Sequence, residues 1–163
     1  MPIYLPTAAV GSSHLLVTLG HSGEIMTLFF PHLDYAQNVH ECMPALWLDD
    51  DRRRGLTWTF GDEWGREQAY EPDANLVVTR LCQRDADLSL ELTDFVLPET
   101  AAFVRGYRLE NQGDRPVGGA LFFYADLNLG EVADRNFLRF DRDAGMFVHS
   151  WREYCCCVGG TPF

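Results

Sequence analysis

Short apolar runs alternating with polar positions fill the chain. They read "HLLVTL", "EIMTLFF", "PALWLD", "LTWTF", "NLVVTRLC", "DLSLELTDFVL", "FVRGYRLEN", "VGGALFFYADLNL", "NFLRFD", "GMFVHSW" and "EYCCCVGG". Turn-forming clusters such as "GHSGE", "CQRDAD", "NQGDRP" and "DRDAG" separate them at hairpin spacing. No window carries the apolar stripe of an amphipathic helix. The pattern predicts an all-β, antiparallel, two-sheet supersandwich, since there is no repeat period that would build a propeller or solenoid.

Two stretches predict different surroundings. In "DLSLEL", Leu88, Leu90 and Leu92 fall on one face with Ser89 and Glu91 on the other, as in a strand with one wet side. In "GALFFYADL", Leu121 and Phe123 point one way while Phe122 and Tyr124 point the other, which predicts a strand covered on both faces in the middle of a large sandwich. The end, "REYCCCVGGTPF", reads as a buried strand with Cys155, Cys156 and Cys157 as small core filling. An apolar strand so near a terminus is expected where one sandwich domain, residues 1–163, is part of a longer and here truncated architecture.

Length and composition bound the function. The chain has 163 residues, 47% hydrophobic and 13% aromatic, enough for a packed core. Its formal net charge is −11 and its 13 basic residues are all Arg, which argues against nucleic-acid binding. The only basic run, Arg52 to Arg54, follows Asp49, Asp50 and Asp51 and is largely self-neutralised. No stretch reads as a secretory leader or a membrane span, so a cytoplasmic protein with no membrane partner is expected. Five cysteines, three of them consecutive, suit reduced thiols better than a disulfide framework.

Candidate chemistry is sparse. A zinc-type site needs ligands spaced onto one face, and His14, His21, His32, His40 and His149 lack that spacing, leaving His40, Glu41 and Cys42 as the best local set. Three consecutive cysteines on a strand alternate faces and cannot converge on one metal. Asp49 to Asp51 would permit calcium without demanding it, so no cofactor is expected. A glycosidase pair needs two carboxylates roughly 5 to 10 Å apart; Asp62 with Glu63, or Asp94 with Asp126, are the candidates. Adjacent strand residues face apart, and Asp94 and Asp126 are more simply partners for Arg105 or Arg108. There is no Gly-x-Ser-x-Gly elbow and, without Lys, no Walker-type phosphate loop.

Trp47, Trp58, Trp64, Tyr35 and Tyr70 could supply an aromatic platform for sugar rings. Trp47 and Trp58 sit between apolar neighbours, where core packing is the commoner use, and Trp64 in "GDEWGRE" is the ring expected in solvent. Trp64, Trp58 and Tyr70 are therefore the carbohydrate-stacking candidates. The segment Pro31 to His40 is read as a structural corner, with Phe29 and Phe30 anchoring the strand before it and Asn38 holding the loop by local hydrogen bonds.

The order of segments resembles the opening of bacterial and archaeal glucoamylase-type enzymes of glycoside hydrolase family 15. The residues that carry the likeness are Gly11, Leu15 to Val17, Gly23 to Ile25, Phe29 to Pro31 and Asn38. "ALWLDD", "LTWTF", "AYEPDANLVVTRL", "LELTDFVLPE", "FVRGYRLENQGDRPV", "FFYADLNLGEV" and "REYCCCVGG" follow in order. The resemblance implies the N-terminal β-supersandwich that lies beside a separate (α/α) barrel. In that family the two catalytic Glu residues of an inverting α-glucosidic hydrolysis belong to the barrel, and no position here matches them. The expected role is noncatalytic: stabilising and positioning the barrel, with α-glucan oligosaccharide binding as the alternative. The family's N-terminal domain is longer than this chain, so open strand edges and self-association are also expected.

Overall fold

The computed structural model describes residues 5–49, 54–131 and 133–161. Thirteen strands and two single 3-10 turns, Leu129–Glu131 and Ala133–Arg135, make up its regular structure. All strand pairings are antiparallel, so the all-β reading holds.

The first sheet contains β1 (Ala8–Gly11), β2 (Leu16–Leu19), β3 (Ile25–Phe29), β4 (Val39–Asp49) and β10 (Gly118–Leu127) in that order, with β5 (Arg54–Trp58) also paired to β4. The second runs β6 (Trp64–Tyr70), β7 (Leu76–Gln83), β8 (Leu88–Val96), β9 (Phe103–Asn111) as a simple meander. A third meander joins β11 (Phe137–Asp141), β12 (Met146–Trp151) and β13 (Tyr154–Gly159). The expected two sheets are thus accompanied by a third.

The first two sheets face each other. On β8, Leu88, Leu90, Leu92, Asp94 and Val96 are buried while the residues between them are half-buried, the one-wet-side alternation expected for this strand. One apolar cluster gathers Val10, Val17, Leu19, Ile25, Val39, Val77 and Val96, and a second gathers Leu46, Leu48, Trp64, Leu81, Leu88, Leu90 and Leu92. Each fully buried Leu stabilises the fold by about 1.5–3 kcal/mol relative to exposure. The turn Gly20–Glu24 presses on the opposite sheet: Gly23 has φ +83°, and a Cβ there would lie 2.2 Å from Leu92 Cδ1. Only glycine satisfies both conditions.

Polar side chains span the space between the sheets. Asp94 accepts a bidentate pair from Arg105 at 2.6 and 2.8 Å, and Arg105 Nη1 donates to the Gly23 carbonyl at 2.6 Å. Burial works against the guanidinium charge, but Asp94 outweighs it and raises the Arg105 pKa. Gln68 donates to the Gly20 carbonyl and to Thr79, and Arg66 donates to the carbonyls of Thr59 and Gly61. Strand β6 therefore lacks the hydrophobic alternation that marks the others, and it escaped the sequence pattern along with the short β1.

Three expectations are corrected. β10 is the outermost strand of its sheet, not a central one, and Phe122, Phe123 and Tyr124 on it are exposed. On β13, Cys155 and Cys157 are exposed and only Cys156 is half-buried, so the three do not fill a core. The strand after the corner begins at Val39, which places His40 on β4 instead of in the loop.

Candidate functional site

Registered residues in antiparallel strands share a face. Ala45 pairs with Trp58 on β5 and with Phe122 on β10; Trp47 pairs with Leu56 and Ala120; Met43 pairs with Tyr124. One face of this corner therefore carries Trp47, Leu56, Trp58, Phe122 and Tyr124. The opposite face carries Leu46 and Leu48, which lie in the second core cluster. Phe60 stacks on Trp58 at 5.9 Å, and Tyr124 meets Trp58 edge-on at 6.2 Å. Trp47, Leu56, Phe60, Phe122 and Tyr124 are each 40–49% exposed. Large exposed apolar patches are, in general, the places where proteins meet partners.

A second apolar surface belongs to the third meander. Phe140 and Phe147 touch at 5.0 Å, and with Leu138 they are half or more exposed. The other end of the same face is held to the body: Trp151 closes over Gly130, whose Cβ would lie 2.3 Å from the ring, and Tyr154 meets Tyr35 at 4.8 Å. The hydrogen bond between those phenols, aided by burial, pushes Tyr35 up to about 12.

Of the three stacking candidates, Trp58 alone belongs to the open face. Trp64 is 1% exposed, and its indole Nε1 donates to Thr57 Oγ1 at 2.9 Å between the sheets. Its expected exposure is overturned because β6 places it on the inner face, in register with the buried Gln83. Tyr70 is exposed, but on the other sheet, where its hydroxyl donates to the Ala9 carbonyl at 2.9 Å. Trp47, read as a core residue, is on the open face. The alternation "ALWLDD" contains the signal for that, since Leu46 and Leu48 bracket it.

The carboxylate candidates do not assemble into a catalytic pair. Asp62 is exposed in the turn before β6, while Glu63 accepts from Thr57 Oγ1 at 2.7 Å. Asp94 is enclosed with Arg105, one of the two Arg partners expected from sequence. Asp126 pairs with His40 Nδ1 at 3.0 Å on the exposed end of β4 and β10. Among the described residues no group of three or more His, Cys, Asp or Glu is arranged to hold a metal ion, and Cys42, in the set with His40 and Glu41, is buried in the core with its thiol pushed up to about 12 by desolvation. Asp49 is ion-paired with Arg54 at 3.0 Å; Asp50 to Arg53, and with them the rest of the possible calcium cluster, lie outside the described residues.

The corner between β3 and β4 is structural. Asn38 Nδ2 lies within hydrogen-bonding distance of the carbonyls of Leu28, Phe30 and Ala36, and its Oδ1 accepts from Gly130 N–H at 3.2 Å. Phe30 packs on the first core cluster. His32 rests edge-on against Tyr35.

Comparison with known proteins gives one informative match. The chain is similar to a protein of Methanocaldococcus jannaschii named as an uncharacterized glycosyl hydrolase, with 30% identity over 150 residues covering 92% of this chain and 23% of that protein. The chain thus spans about a quarter of the length of the curated relative it matches. No protein-family model matches it. No solved structure matches it.

Proposed function

We propose that this chain is a noncatalytic sandwich unit of a glucoamylase-like α-glucoside hydrolase, stabilising and positioning a catalytic (α/α) barrel through its open apolar faces. The observation that carries this reading is the uncovered aromatic surface of β5, β4 and β10. Burying those rings against a partner domain would stabilise both, at about 25 cal/mol per Å² of apolar surface removed from water. The methanogen relative supports it, being named a glycosyl hydrolase and about four times longer than the segment matched. Among the described residues Asp94 is taken up by Arg105 and Asp126 by His40, which is in keeping with a catalytic centre elsewhere. The reading takes the cytoplasm as the compartment, in keeping with the free thiols of all five cysteines.

The test is the mass of the native product in its own cells, with its release of glucose from starch, maltooligosaccharides and α-1,6-glucans. The expected result is a product several-fold above 18.5 kDa that releases glucose, while the 163-residue chain alone releases none. A native product of 18.5 kDa that stays monomeric at high concentration in ultracentrifugation overturns the reading.

A second reading, an α-glucan binding module, is favoured by the open rings clustered around Trp58. It expects saturable quenching of tryptophan fluorescence by maltooligosaccharides, lost in Trp58→Ala. Absence of binding at millimolar sugar removes it.

A further inference from the structure

The thiols of β13 form a second site that the docking role does not use. Alternation along the strand turns Tyr154 and Cys156 toward the body and leaves Cys155 and Cys157 exposed on the outward face. The two outward sulfurs are 3.8 Å apart, and neither is in a disulfide. Ser150 and Val148 on β12 are their registered neighbours, and Arg139 on β11 lies in register with Val148. Arg139 is occupied by Asp141 at 2.8 Å. Cys156 points to the other face of the strand and Cys42 is buried in the core, so neither shares this outward surface.

We propose that Cys155 and Cys157 form a two-thiolate clamp for a soft divalent cation of the zinc and cadmium class. Two metal–sulfur bonds of roughly 2.3 Å at a tetrahedral angle set their sulfurs about 3.8 Å apart. The observed separation meets that distance with no movement of the strand. A direct disulfide fits less well. It needs the sulfurs at about 2.05 Å and Cα atoms no more than about 6.8 Å apart. Residues two apart on an extended strand stand roughly 6.4–6.8 Å apart, at the upper end of that range, and the sulfurs would have to close from 3.8 Å. Bridging by an ion is the smaller change.

The reaction balances simply: two thiols and one divalent cation give a dithiolate complex and two released protons. Water fills the two coordination positions that face solvent.

The experiment is titration of the reduced 163-residue chain with cadmium alone, followed by the ultraviolet thiolate-to-cadmium charge-transfer band and by proton release. The expected result is one ion per chain and two protons per ion. The band should disappear in Cys155→Ser and in Cys157→Ser and persist in Cys156→Ser and Cys42→Ser, each variant checked for β structure by circular dichroism. A wild-type chain that shows no band, or a band that survives loss of either outward thiol, overturns the proposal.

Discussion

The inner faces of the strands up to Asn111 and the strands from Gly118 to Gly159 carry the same kind of hydrophobic residue and meet opposite fates. In the first region the apolar faces of two sheets close on each other, and Leu46, Leu81, Leu90 and Leu92 are out of water. In the second, Leu129 is the one buried hydrophobic residue among those described, while Phe122, Tyr124, Phe137, Leu138, Phe140 and Phe147 stand exposed. Apolar patterning alone therefore does not bury a strand; a facing layer does. The open region contributes exposed apolar surface, and the closed region contributes the buried core.

That contrast can be broken by mutation, and the largest effect belongs to the closed region. Asp94→Ala strands the enclosed Arg105 charge and should cost about 3–5 kcal/mol in urea unfolding. Trp64→Ala should cost a similar amount, about 3–5 kcal/mol, by opening a core cavity and leaving Thr57 without its indole partner. Phe140→Ser and Phe147→Ser in the open meander should stay within about 0.5 kcal/mol of the parent. Equal losses at both sets of sites would mean that the meander is as covered as the core. Next in size is Asn38→Ala, expected to cost about 1–3 kcal/mol because half-buried carbonyls of the corner lose their donor.

The open face offers a test that does not depend on stability. Phe122→Lys with Tyr124→Lys should leave the unfolding midpoint nearly unchanged while lowering any concentration-dependent association in ultracentrifugation. Association that is unaffected would assign self-contact to another surface.

The smallest effect is a pH dependence in the meander. Partial burial lowers the His149 pKa, with Asp126 opposing. The unfolded chain therefore takes up the proton first, and the contribution of this site is full above about pH 6.5 and declines as pH falls from there through the lower folded value. In the Nε2-protonated tautomer His149 donates to Asn136 at 2.9 Å. His149→Gln should flatten this part of the stability curve, as read by urea midpoints between pH 5 and 8.

Much of this was legible in the sequence, because most strands have one clear apolar face. The Asn38 corner and the pairing of Asp94 with Arg105 were also legible, since a polar residue at a turn or on an apolar strand needs a partner. Trp64 was misread because its neighbours Asp62, Glu63 and Arg66 are polar, yet Glu63 and Arg66 find their partners inside the fold. The aromatic face was hidden for the opposite reason. Trp47, Phe122 and Tyr124 have the composition of a core, and only the register of three strands shows that they share a face left exposed among the described residues.

The pairing of Asp49 with Gly118 has a consequence for the order of folding. All of β6 to β9 lies between those two partners in sequence, so β10 reaches β4 only after closing a loop that contains an entire sheet. Hairpins such as β7–β8 close over short loops and can form early, whereas joining distant strands is slow because the chain entropy is lost before any contact rewards it. Until that step is complete the full length of β4 from Val39 to Asp49 has one bare edge. The clasp between β4 and β10 thus closes the longest loop of the first sheet, and an unpaired β4 edge is a template on which another chain can add a strand.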